Sequence, residues 1–200
     1  NTNLKSVKLP SNLLMIGNSA FTRCQLQEIK LPEYLLYIGR YAFFYNDLTE
    51  IDIPGYLEYV GPSAFAYNDL EEVIFPHSVA YIGEDVVVGN DRLKRIVVYR
   101  KDCQFGARFS TNKITVYGFK GSTAETLANE QRDNFIELSN VDIASLKLIA
   151  ALEYNQIQYD GKAKEPSILI NGLIEDIDYT VSYLDNINAG IGIIVIKGIG

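Results

Sequence analysis

The sequence predicts a mostly β protein: a solenoid of five coils closed by an end-piece, residues 1–140, followed by a small β-sandwich module, residues 141–200. Three observations predict it. Pro10, Pro32, Pro54 and Pro76 recur every 22 residues, and Gly17, Gly39, Gly61 and Gly83 keep the same step. Leu4, Leu26, Leu48 and Leu70 share that period, Leu93 follows after 23, and Ala20-Phe21, Ala42-Phe43 and Ala64-Phe65 repeat in register, with Val86-Val87 as a weaker fourth copy. Self-similarity at a fixed period of this length is the signature of a stacked-repeat architecture. Beyond about residue 141 the period is gone, and short strand-like runs alternate with turn residues.

Each element follows from the unit L-x-x-I-x-L-P-x-x-L-x-x-I-G-x-x-A-F. The L-x-x-I-x-L segment, exemplified by Leu26, Ile29 and Leu31, reads as a short strand with alternating sides. Proline ends it, because proline cannot donate to a ladder. The glycine is expected to turn the chain, and Ala-Phe to re-enter the core along another edge. Identical columns on neighbouring coils then stack into Leu, Ile and Phe ladders that form one core. Residues 114–138 read as the closing piece: a last strand at 114–117, Gly118 and Gly121, a short helix opening at Ser122 or Thr123, and a strand near 135–138. Ser122 and Glu125 have capping-box spacing. In the second segment, the runs 157–160, 168–170, 179–183 and 191–196 read as antiparallel strands of a small sandwich.

The repeat unit, with its I-P and I-G-x-x-A-F signature over residues 1–117, resembles the BspA-like leucine-rich repeat of bacterial cell-surface proteins. The strings Y-D-G-K-A-K-E-P (159–166), D-Y-T-V-S-Y (178–183) and N-x-N-A-G (186–190) are similar to bacterial immunoglobulin-like modules. That second match covers ~55 residues against ~100 for a full sandwich, so the module is expected to be a short or a cut variant. Together the resemblances imply an extracellular bacterial surface protein that recognises a protein or glycan on host or neighbouring cells. The alternative is a non-catalytic stalk or targeting part of a larger surface enzyme. The chain starts at Asn1 without an initiator methionine, as expected of an excised or processed piece.

Composition narrows the chemistry. Hydrophobic residues make up 48%, so a core can be buried. One histidine in 200 residues removes most Ser-His-Asp and Cys-His constellations and any multi-histidine metal site. A net charge of −7 argues against general nucleic-acid binding. The longest apolar runs, 148–152 and 189–196, fall short of the ~20 residues that span a bilayer, so no membrane insertion is expected. No cofactor, metal site or catalytic residue is expected.

Local motifs read the same way. Gly118-Phe-Lys-Gly-Ser-Thr123 is not a phosphate loop, since its lysine precedes the last glycine, and it is taken as a capping turn. His77 is expected at an exposed coil corner, and Glu175, Asp176 and Asp178 in a solvated turn. Cys24 and Cys103 lie about four coils, ~19 Å, apart along the axis. A disulfide needs Cα atoms within ~7 Å, so two free thiols are expected.

Two surface columns stand out as candidate binding residues. Glu28, Glu50 and Glu72 share one strand column, continued by Arg95, within a segment (26–91) holding 12 acidic and 2 basic residues; residues 92–113 reverse the balance, with 7 basic and 1 acidic. Like charges at neighbouring strand positions are unfavourable, so the row is either selected for binding or a solvated face. Tyr37, Tyr59 and Tyr81 form the other column, just before the core Ile or Val of each coil. Tyrosine supplies flat contact area at low entropic cost, so this row is either a binding surface or a stacking ladder shielding the coil edge. Tyr34/Tyr56 and Tyr45/Tyr67 make two shorter columns.

Overall fold

The computed structural model describes residues 4–109 and 113–138 in full, together with the backbone of 150–152, 168–170, 179–184 and 193–198. The chain divides into two compact units, Asn1–Val141 and Asp142–Gly200.

In the first unit each coil meets the next through three hydrogen-bonded ladders. The first is a five-stranded parallel sheet of two-residue strands: β1 (Met15–Ile16), β2 (Tyr37–Ile38), β3 (Tyr59–Val60), β5 (Tyr81–Ile82) and β7 (Gln104–Phe105). The second is a four-stranded parallel sheet: β4 (Glu72–Phe75), β6 (Arg95–Val98), β8 (Thr115–Gly118) and β9 (Asn134–Glu137). The third has no strands. Along the Ala-Phe segment alternate N–H groups donate to the next coil, as in Tyr41 to Pro62 (3.0 Å), Phe43 to Ala64 (2.8 Å) and Tyr45 to Ala66 (2.9 Å). Between these donors the segment is wound by i to i+3 turns, with Ser19, Tyr41, Ser63 and Asp85 in one left-handed column and Arg23, Tyr45 and Tyr67 in another.

The expected L-x-x-I-x-L strand is present only from the fourth coil onward. Glu72–Phe75 and Arg95–Val98 carry Ile74 and Val97 at the third position, where coils two and three have Lys30 and Asp52. β-branched residues fit a pleated surface and charged ones do not, so the earlier segments keep the course of the strand without its full ladder. The proline opens the corner as well as closing the strand: the carbonyls of Pro32, Pro54 and Pro76 accept the N–H groups of Leu35, Leu57 and Val79 at 3.1–3.2 Å.

The glycine column has a different cause from the expected turn. None of Gly39, Gly61, Gly83 or Gly106 is left-handed. A Cβ there would instead lie 2.2–2.6 Å from backbone nitrogens of the preceding coil, on Asn18, Arg40, Pro62 and Glu84. Backbone-to-backbone contact excludes any side chain.

The core is built of ladders. Phe43 and Phe65 are fully buried and the Phe21–Phe43 and Phe43–Phe65 rings stack at 5.4 and 5.6 Å, within 6° of parallel. Leu26, Leu48, Leu70 and Ile38, Val60, Ile82 stack beside them, all fully buried. A ladder of asparagines, Asn46, Asn68 and Asn90, runs through the buried corner three residues after Phe43, Phe65 and Val87. Asn68 Oδ1 accepts the Leu48 N–H (3.1 Å), and its Nδ2 donates to the carbonyls of Phe43 and Phe65 (both 3.0 Å). Each amide thus satisfies backbone groups of its own and the preceding coil, which would otherwise be buried without partners.

The end-piece follows the sequence expectation. β8 leads to α1 (Thr123–Gln131), which returns the chain to the parallel strand β9, so the helix takes the place of the other two sides of a coil. Ser122 Oγ accepts the Glu125 N–H at 3.2 Å. The Glu125 carboxylate reaches back to the Gly121 N–H, one residue earlier than in the usual box. Ala124, Leu127 and Ala128 lay the apolar face of α1 on the last coil.

Cys24 and Cys103 form no disulfide with one another, as the coil separation requires. Burial pushes the Cys103 thiol up to about 12. Thiol titration of the unfolded, unreduced chain should therefore find two groups. In the native protein at about pH 8, Cys103 should resist alkylation, because the thiolate is the reactive species. Rapid native modification of Cys103 would contradict its burial.

The described residues of the second unit form two antiparallel pairs: β10 (Ala150–Leu152) with β11 (Ile168–Ile170), and β12 (Tyr179–Leu184) with β13 (Ile193–Gly198). Three of the four expected runs coincide with strands, and β10 lies within the apolar run 148–152. The run 157–160 and the acidic turn of Glu175, Asp176 and Asp178 lie outside the described residues.

Candidate recognition face

The first sheet places Tyr37, Tyr59 and Tyr81 directly opposite one another in register. All three are half-buried, flanked on the sequence by the fully buried Ile38, Val60 and Ile82. Parallel strands repeat every ~4.8 Å, a spacing that suits stacked rings. The Tyr37–Tyr59 centroids are 4.6 Å apart at 7°, and Tyr59–Tyr81 4.9 Å at 11°. Ring faces therefore cover each other, and the column presents ring edges rather than faces. Burial, then the neighbouring Tyr37 and Tyr81, raises the Tyr59 pKa above its ordinary value, so the Tyr59 hydroxyl keeps its proton and can donate at physiological pH.

Around this ladder lies apolar surface that the sequence reading did not single out. Leu14 and Met15, 50% and 60% exposed, sit beside and on β1, and Leu36 precedes Tyr37 on the next coil. Tyr34 and Tyr56 are exposed at the adjoining corner with rings 5.4 Å apart. Five of the eight exposed large hydrophobic side chains among the described residues thus belong to this side of coils one to three. Glu58 and Ala80 occupy the same column as Leu14 and Leu36, and Glu58 was the signal that the column faces outward.

The glutamates lie on the second ladder, a different side of the coil. Glu28 and Glu50 are exposed, whereas Glu72, at the start of β4, is half-buried and paired with its register partner Arg95 at 2.5 Å. Arg92 and Lys94 both meet Glu71, and Arg108 meets Asp85 at 2.5 Å. Much of the charge reversal after residue 91 is thereby a set of ion pairs binding coil five to coil four. His77 is exposed at its corner, with Nδ1 3.4 Å from the Tyr99 carbonyl. Among the described residues no cluster could hold a metal ion, and no helix is long and apolar enough to cross a membrane.

A parallel solenoid of coils stacked in register defines a repeat protein. The match to the BspA type leucine rich repeat region, in 6 copies over residues 1–115, covers more than half of the chain, which belongs to this family. The 6 copies exceed by one the five coils counted from the sequence. Repeats of this kind suggest a protein-interaction role, and the family is typically non-catalytic and surface-associated in bacteria. No curated protein and no solved structure matches the chain.

Proposed function

We propose that this chain is the recognition module of an extracellular bacterial surface protein, adhering to a protein partner through the tyrosine ladder and the apolar residues around it. The observation that carries the reading is the gathering of Leu14, Met15, Tyr34, Leu36 and Tyr56 about the half-buried Tyr37, Tyr59 and Tyr81. Contiguous exposed apolar area of this kind marks interaction sites. Tyrosine edges and hydroxyls add directional bonds to that area, as at protein interfaces generally. Residues 141–200 serve as an immunoglobulin-like spacer, a role supported by the string similarity and by the antiparallel pairing of β10–β13. No reaction is assigned to the chain.

The test is an array of immobilised matrix proteins and glycans probed with the 200-residue chain. For a retained protein, Tyr37/Tyr59/Tyr81→Ala should weaken binding by at least about tenfold, as loss of aromatic anchors does. Leu14→Ser with Leu36→Ser should weaken it without loss of stability. Glu28/Glu50/Glu72→Gln should bind as the parent does, and affinity should change little between about 0.15 and 1 M salt, where the Debye length falls from ~8 to ~3 Å. If the tyrosine variant binds normally while the glutamine variant fails, the acidic row is the site. If nothing on the array is retained, the stalk reading gains.

A further inference from the structure

The third ladder carries a groove of its own. It has a volume of about 590 Å³ and is lined by Arg23, Tyr41, Phe44, Tyr67, Asp85 and Arg108, reaching from coil one to coil five. Phe44 forms its aromatic centre, with the rings of Tyr41 and Tyr67 edge-on at 5.2 and 5.3 Å. Gly89 stands in the column of Tyr45 and Tyr67, and the Tyr67 ring occupies the place of its missing side chain, 2.7 Å from where a Cβ would be. The column's change from Tyr to Gly thus leaves room for Tyr67 to lie along the next coil.

The polar groups of this side narrow the ligand. The backbone N–H groups of the ladder are spent between coils, from Ser19 to Arg40 (2.8 Å) through Tyr67 to Val88 (2.7 Å). An extended peptide could not add to it as a strand, and recognition falls to side chains. Arg23 lies over the Tyr45 ring at 5.3 Å and Arg40 over the Tyr41 ring at 5.0 Å. Both are exposed, and neither takes part in an ion pair among the described residues. Each guanidinium is held by a ring and has no carboxylate partner among the described residues, so it can meet an anion brought by a ligand. Asp85 and Arg108, joined by two hydrogen bonds, offer adjacent acceptor and donor edges at the far end, which match neighbouring sugar hydroxyls.

We infer that this groove binds an acidic oligosaccharide, its sugar rings against Phe44 and Tyr67 and its carboxylates at Arg23 in the lining and at Arg40, which stands outside the lining against the ring of Tyr41. Four coil steps span ~19 Å, enough for a short chain of sugars rather than a single one. The site is separate from the tyrosine ladder of the first sheet and does not rest on it.

Calorimetric titration of the 200-residue chain with tetragalacturonate, maltotetraose and hexaglutamate tests the inference. Tetragalacturonate should bind at least about tenfold more tightly than either of the others and lose affinity with salt, as a charge-steered ligand does. Arg23→Gln with Arg40→Gln should remove most of that preference. Tyr67→Asn, which keeps a residue tolerant of the left-handed backbone, should weaken binding at every salt concentration. Tyr37/Tyr59/Tyr81→Ala should leave it unchanged, so failure here and failure of the first-sheet reading are told apart. Absence of tetragalacturonate binding, equal affinity for maltotetraose, or parent-like binding by the double arginine variant would each overturn the proposal. Equal binding of hexaglutamate would make the groove an anionic-peptide site instead.

Discussion

Phe43→Ala should cost the solenoid about 3–5 kcal/mol, the range for truncating a buried aromatic side chain. Phe43 is fully buried, stacked between Phe21 and Phe65 at 5.4 and 5.6 Å. Its removal opens a hole in the ladder that neither neighbour can close, because each ring is held by its own coil's backbone. The carbonyl of Phe43 also accepts the Asn46 and Asn68 amides, so a shift of this segment reaches the buried asparagines. In a stacked array each coil is stabilised mainly by its neighbours, and the damage should spread to coils one and three. Thermal and denaturant unfolding of the whole chain would show it. A loss below about 1 kcal/mol would mean that Phe43 does not carry the core.

Much of this fold was legible in the sequence because one physical constraint recurs in every coil. Stacking places like on like, so Leu26, Phe43 and their column-mates announce themselves by spacing alone. Ser122 and Glu125 announced the cap for a different reason: a helix N-terminus has unpaired amides whatever precedes it. The asparagine column was equally periodic at Asn46, Asn68 and Asn90, yet it lies in a polar stretch that reads as loop. Polarity there hides burial, since the amide is inside only because it satisfies two coils at once. Cys24 stands in the first place of that column, which further blurred it.

The strands of the first sheet were illegible because two residues cannot display a period. For the candidate site, the tyrosine and glutamate columns were visible as spacings, but what each presents was not. Stacking at the coil spacing turns the tyrosine faces toward one another, and Arg95 takes up Glu72; both are facts about pairs in space. The groove around Phe44 draws on residues of the first, second, third, fourth and fifth coils, and no single column of the repeat contains it.

Every column assigned here depends on backbone meeting backbone at the glycine corner, and two alanine substitutions in that column should have opposite outcomes. At Gly83 a Cβ would stand 2.2 Å from the Pro62 nitrogen and 2.5 Å from the Gly61 carbonyl carbon. Neither is a side-chain end that can swing away, so coils three and four must part. Gly83→Ala should then destabilise by at least the ~1–3 kcal/mol of ordinary overpacking. At Gly17, in the first described coil, a Cβ would meet nothing within 4 Å, and the residue is not left-handed. Gly17→Ala should be neutral or should stabilise by up to ~1 kcal/mol, through a less disordered unfolded chain. Denaturant midpoints of the two variants, measured side by side against the parent, give the most direct test. A large loss at Gly83 with none at Gly17 is the result expected of coils stacked in this register; equal effects at the two positions would contradict it.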